Sequence, residues 1–71
     1  MVLSGINAVE NVILIDIEGG RGIRSKLYSM GLVPGAKLTV LTQNAAGPIM
    51  IDLKNSRLAI GRGIAQKIIV E

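Results

Sequence analysis

The first regular stretch of the chain, Asn11–Glu18, has the alternating pattern of a β-strand and is followed by Gly19 and Gly20. Successive side chains of a strand point to opposite faces, so every second residue shares a face. We therefore expect three isoleucines to face inward, namely Ile13, Ile15 and Ile17. The outward face would then carry Val12, Leu14, Asp16 and Glu18.

The spacing of apolar residues changes after Arg21 and predicts one helix within residues 20 to 31. Residues at i, i+4 and i+7 share one side of a helix. That stripe is predicted to dock the helix on the sheet and consists of Ile23, Leu27 and Met30. The residues that lie largely off this stripe should face water or a partner, and they are Arg21, Arg24, Ser25 and Tyr28.

The residues after the helix predict two tight backbone features. Gly31 is suited to the left-handed residue that ends a helix in a Schellman motif, with Leu32 folding back onto Leu27. Proline followed by glycine, as in Val33-Pro34-Gly35-Ala36, is the signature of a type II turn. The residues expected to shape the backbone are Gly20, Gly31, Pro34 and Gly35.

The rest of the chain predicts four further strands, of which the first three form a meander. Their inward residues are Leu38 and Val40 in the second strand and Ile49, Ile51 and Leu53 in the third. The other predicted elements are a loop at 44–48, a tight connection at Asn55-Ser56, strands at Arg57–Ile60 and Lys67–Val70, and a helical turn at Ile64-Ala65. Five short strands with one helix after the first indicate a mainly β protein, a small and partly open barrel. In this arrangement four apolar residues would point outward, and we expect the helix or a partner to cover them. They are Val12, Leu14, Leu41 and Met50.

Composition is consistent with one globular domain covering residues 1–71. Apolar residues make up 49% of the chain and charged residues 18%, which excludes a disordered tail. The longest apolar run, Val12–Ile15, is far too short for a membrane helix, and no basic residue precedes Arg21 as a secretory signal would require. We therefore expect a cytoplasmic protein.

The chain contains no histidine and no cysteine, which excludes zinc fingers and catalysis by imidazole or thiolate. A pair of carboxylates could in principle serve catalysis, but Asp16 and Glu18 on one strand face are more typical of a solvated surface. The glycine-rich segment at 19–22 lacks the Gly-Lys-Ser/Thr ending of a phosphate-binding Walker loop. The sequence therefore predicts no catalytic residue, no metal ligand and no cofactor, and a protein that is not an enzyme.

A basic β-barrel could instead bind RNA or DNA, and this alternative stays open. The net charge is +3, and Arg21, Arg24 and Lys26 could contact phosphates. Barrels that hold single strands stack bases on several aromatic rings, however, and Tyr28 is the single aromatic residue here.

The segment from Gly19 to Gly35, with Met30-Gly31-Leu32-Val33-Pro34-Gly35 at its end, resembles the signature of the FeoA family. Weaker similarity to that family continues at 47–49 and 58–60, and at Ala65, Ile68 and Val70. The resemblance implies an SH3-like barrel with a helix after its first strand.

The resemblance also implies a function, that of a small cytoplasmic accessory protein of bacterial ferrous iron uptake. Its partner would be FeoB, a membrane transporter with a GTPase domain, and it would regulate or assemble that transporter. The candidate contact residues are Arg21, Arg24 and Tyr28 on the exposed helix face. The family is associated with transition-metal binding, but without histidine or cysteine a role in iron uptake would be indirect.

Overall fold

The computed structural model describes residues 1–42 and 47–71, and within them five strands form one antiparallel sheet. The sheet order is β4-β3-β2-β1-β5. The strands are β1 (Glu10–Ile17), β2 (Lys37–Thr42), β3 (Ile49–Leu53), β4 (Ser56–Ile60) and β5 (Ile68–Val70). The helices are α1 (Arg21–Ser29) and α2 (Arg62–Ala65), and a 3-10 turn spans Leu3–Gly5.

This arrangement confirms the mainly β fold with one short helix after the first strand, and it confirms the meander of β2, β3 and β4. The helical turn expected at Ile64-Ala65 is α2. The loop predicted at 44–48 lies outside the described residues, except for Gly47 and Pro48. The 3-10 turn was not predicted. It brings Leu3 into the core and contacts α2 and β5.

The first strand is shared between two pairings. Its first half pairs with β2 from Glu10↔Val40 to Ile13↔Lys37, and its second half pairs with β5 from Leu14↔Val70 to Ile17↔Ile68. Where the two halves of β1 meet, the strand forms backbone hydrogen bonds to the chain segments on both of its sides. The backbone N–H of Leu14 donates to the carbonyl of Ala36 at 2.8 Å, while the backbone N–H of Glu71 donates to the carbonyl of Ile13 at 2.9 Å.

A β-bulge in β1 reverses the faces that the sequence predicted. Leu14 pairs with Val70 and Asp16 pairs with Ile69, so the chain has one extra residue, Ile15, at that point. An extra residue shifts the alternation of side chains by one position. Val12 and Leu14 therefore point inward before the bulge and Ile17 points inward after it.

The prediction that Ile13 and Ile15 face inward is thus wrong, and only Ile17 of the three isoleucines lies in the core. Ile13 is 40% exposed and Ile15 is 44% exposed, whereas Leu14 is fully buried. Val12 and Leu14, predicted outward, need no cover from a partner because they form part of the core.

The predicted inward residues of β2 and β3 are correct, although the pairing of these two strands has a register shift of its own between Val40 and Thr42. The inward residues of β2 and β3 are all buried, and Leu41 and Met50 on the other face are half-buried. The connection between β3 and β4 lies one residue earlier than predicted, because Lys54 and Asn55 form the turn and Ser56 already pairs with Leu53. Both turn residues have positive φ, +51° and +67°, as a type I′ hairpin turn requires.

The core that results is entirely aliphatic within the described residues, where no polar side chain is buried. The fold therefore depends on the burial of branched aliphatic groups from every strand and from α1.

The bulge predicts a large loss of stability at one residue of β1 and a small loss at the residue that follows it. Leu14→Ala should lower the free energy of unfolding by about 2–5 kcal/mol, because it leaves a cavity at a fully buried position. Ile15→Ala should lower it by about 1 kcal/mol or less, because that side chain is largely outside the core. Urea unfolding of the two variants and the parent measures both. A larger loss for Ile15→Ala would contradict the bulge.

Candidate functional site

The entry to α1 depends on a glycine that sequence analysis did not select. Gly19 has φ +122°, a conformation that side chains rarely adopt, and a Cβ there would lie 3.4 Å from Cδ1 of Ile23. Gly20, the predicted shaping residue, has φ −81° with no atom within 4 Å of an added Cβ. The steric requirement for glycine at this junction is therefore at Gly19, while Gly20 is the N-cap residue of α1 and has an extended backbone conformation.

Two of the three predicted stripe residues dock α1. Leu27 is buried, and Ile23 is partly buried and packs against the core. Met30 does not dock the helix, since its side chain is 37% exposed. The helix ends at Ser29, and the backbone of Met30 (φ −92°, ψ 0°) has left the helical path, so the spacing of a continuous helix no longer places its side chain.

The helix ends in the predicted Schellman motif. Gly31 has φ +91° and its N–H donates to the carbonyl of Tyr28 at 2.9 Å. The N–H of Leu32 donates to the carbonyl of Leu27 at 3.0 Å, and both leucine side chains are buried. These two hydrogen bonds satisfy carbonyl groups that a helix end leaves without partners.

The type II turn that follows holds the helix end against β1. The N–H of Ala36 donates to the carbonyl of Val33 at 3.0 Å, and Gly35 has φ +91°, as predicted for this turn. The N–H of Gly35 then donates to the carbonyl of Leu14 at 2.7 Å. The segment that carries the most specific sequence signature therefore forms a corner that fixes the position of α1 relative to the sheet.

Arg24 has a structural role that sequence analysis missed. Its Nε donates a hydrogen bond of 3.0 Å to the carbonyl of Ile17, the last residue of β1. The side chain is exposed, as predicted, but it also links the helix to the strand that precedes it. A hydrogen bond from a charged donor to a carbonyl is among the stronger ones in proteins.

Arg21 and Tyr28 are exposed, and Tyr28 keeps 39% of its surface accessible. Positions i, i+3 and i+7 lie on one side of a helix, so Arg21, Arg24 and Tyr28 share a face of α1. We call these three residues the α1 face. Its use as a contact surface stays a prediction.

Within residues 1–42 and 47–71, no three acidic, histidine or cysteine side chains are grouped so that they could hold a metal ion. In the same part of the chain, neither helix has the length and apolar character needed to cross a membrane.

The sequence model of the FeoA domain family matches residues 1–71. A protein of Methanocaldococcus jannaschii named Fe(2+) transport protein A is 48% identical over 62 residues, which cover 87% of this chain and 74% of that protein.

Two solved structures extend the similarity to the fold. The crystal structure of an iron uptake regulatory protein, FeoA, superposes with a TM-score of 0.94 at 41% identity, covering 100% of this chain and 95% of that chain. The solution structure of the FeoA protein from Chlorobium tepidum superposes with a TM-score of 0.88 at 32% identity and covers 100% of this chain and 69% of that chain. FeoA structures have SH3-like folds, so the expected SH3-like architecture is confirmed.

The Schellman motif at the end of α1 predicts that alanine substitution has opposite effects on stability at two glycines. Gly31→Ala should lower the free energy of unfolding by about 1–3 kcal/mol, because alanine is strained at φ +91° and its Cβ would lie 3.3 Å from Cδ2 of Leu53. Gly22→Ala, inside α1 with no atom within 4 Å of the added Cβ, should raise it by up to about 1 kcal/mol. Thermal and urea unfolding check both signs. Equal stability of the two variants would contradict the Schellman motif.

Proposed function

The chain belongs to the FeoA family of Fe(2+) transport accessory proteins, and we propose that it acts by binding a FeoB-type membrane transporter on its cytoplasmic side. The partner surface would be the soluble GTPase domain of that transporter. In this proposal the chain contributes contacts that regulate or assemble the transporter, while transport and nucleotide hydrolysis belong to the partner.

The observation that supports this proposal most directly is that hydrogen bonds hold α1, and with it the α1 face, at both ends of the helix. The Schellman motif fixes one end of α1, and the hydrogen bond from Arg24 to Ile17 fixes the other. Side chains on a preorganised element lose less conformational entropy when they bind. Arginine and tyrosine are also the residue types, with tryptophan, that most often dominate the energy of protein interfaces.

The α1 face suits a protein partner better than a nucleic acid. It offers two guanidinium groups and one phenol ring, which can pair with carboxylates and pack on apolar groups of a folded surface. Two arginines release few counterions from a phosphate backbone, and one ring can stack on few bases.

The proposal predicts that Arg21→Ala combined with Tyr28→Ala weakens binding to the soluble GTPase domain of the FeoB-type transporter from the same organism. The expected loss of affinity is about thirtyfold, which corresponds to roughly 1 kcal/mol for each of the two side chains. Calorimetric titration measures the affinity. Arg24 is left unchanged because its loss would also remove the hydrogen bond to Ile17.

The control is Arg57→Ala, which removes an exposed arginine from β4. It should bind like the parent, and thermal melts should show all variants folded. Binding of the double variant with parental affinity would show that the α1 face is not the contact surface. Binding of a single-stranded RNA or DNA that weakens steeply with salt, with no binding of the GTPase domain, would favour the nucleic-acid alternative instead.

A further inference from the structure

Two open grooves meet on the surface of the sheet at a pair of lysines. The larger, about 580 Å³, lies over β1, β2 and β3, and the smaller, about 480 Å³, lies beside the type II turn. Lys37 and Lys54 line both grooves. We refer to this surface as the lysine cleft and define it by Ile13, Val33, Lys37, Asp52, Lys54 and Glu71.

The lysine cleft has an exposed aliphatic side chain in each groove. Ile13 in the larger groove is 40% exposed, and Val33 in the smaller groove is 38% exposed. Ile13 is also the cross-strand partner of Lys37, so an isoleucine and a lysine are direct neighbours on the sheet. Such a pair can bind an apolar side chain that has a negative charge next to it.

Lys54 occupies a backbone position that disfavours it. Its φ is +51°, in a type I′ turn whose central positions favour glycine, asparagine or aspartate. A residue with a Cβ in the left-handed region costs free energy relative to glycine, and such strain concentrates at functional sites. The other central position of the turn holds Asn55, which suits the turn, so of these two residues the one that the turn disfavours, Lys54, is also the one that lines both grooves.

We propose that the lysine cleft binds an acidic segment of a partner protein. A carboxylate of that segment pairs with Lys37 and Lys54, and an apolar side chain next to it packs on Ile13 or Val33. The identity of the partner as the transporter rests on the proposed function, whereas the chemistry of the segment rests on the cleft itself.

The charges in the larger groove favour a protein segment over a nucleic acid. Asp52 and Glu71 line it together with the two lysines. A continuous row of phosphates would meet these carboxylates as well as the lysines, and the like charges would repel. A peptide can present its own N–H groups or a basic side chain to Asp52 and Glu71 while its acidic residue meets the lysines.

The test is a titration followed by ¹⁵N–¹H correlation spectra with two capped peptides, Gly-Glu-Leu-Glu-Gly and Gly-Gln-Leu-Gln-Gly. The acidic peptide should cause saturable shifts centred on Ile13, Val33 and Lys54, and the glutamine peptide should bind at least fivefold more weakly. The double variant Lys37→Gln with Lys54→Gln should weaken binding of the acidic peptide at least tenfold. The matched control, Lys26→Gln with Lys67→Gln, removes two exposed lysines elsewhere and should bind like the parent.

Several results would overturn the proposal. These are the absence of saturable shifts, shifts that scatter over the surface, or equal weakening by both double variants, which would indicate attraction by net charge alone. Tighter binding of oligothymidylate than of the acidic peptide at the same residues would replace the protein partner with a nucleic acid.

A second titration, with the GTPase domain as the probe, separates this proposal from the function proposed above. If the acidic peptide binds the cleft but the GTPase domain does not bind the parent chain, the cleft stands and the transporter is not its partner. If the GTPase domain binds but the acidic peptide does not, the proposed function stands and the cleft proposal fails.

Discussion

The architecture depends on one constraint, which is that a single strand, β1, must form hydrogen bonds with two neighbouring strands. β1 pairs with β2 through its first half and with β5 through its second half, and the bulge at Ile15 lies in the half that pairs with β5. A bulge bends and twists a strand, which allows a five-stranded sheet to curve around its own core. In the absence of disulfides and of polar groups in the described core, this curvature is what brings the aliphatic side chains together.

The corner between α1 and β2 places the helix on that curved sheet. Gly31 and Gly35 both adopt φ +91°, and the second of them bonds to Leu14 on β1. Arg24 bonds to the other end of the same strand through Ile17. The helix is therefore tied to β1 on both sides of the bulge, and the orientation of the α1 face follows from the shape of this strand.

Local backbone chemistry made much of the fold predictable from sequence. Gly31 and the Pro34-Gly35 pair each have one favoured geometry, and strict alternation identified the inward residues of β3. The faces of β1 were not predictable in the same way, because Val12 to Ile15 are all apolar and alternation among them carries no information about an inserted residue. Met30 was misplaced because a spacing rule holds only while the helix continues.

The candidate sites were predictable only in part. Exposure of Arg21 and Tyr28 followed from helical spacing, but the bond from Arg24 to Ile17 joins elements whose packing no spacing rule describes. The lysine cleft could not be predicted from the sequence for the same reason. Lys37 and Lys54 are 17 positions apart in sequence (54 minus 37), and they line one surface only because β2 and β3 pair.

The double pairing of β1 also has a consequence for the order in which the protein folds. The hairpin of β3 and β4 joins residues three positions apart, Leu53 and Ser56, whereas β5 must return Val70 to Leu14. Contacts that are distant in sequence form late, because a long loop must first be closed. Until β5 pairs with it, the second half of β1 is an open edge that carries the exposed side chain of Ile15, and open edges pair readily with other chains. We therefore expect the yield of refolding at high protein concentration to depend on how quickly the last strand closes the sheet.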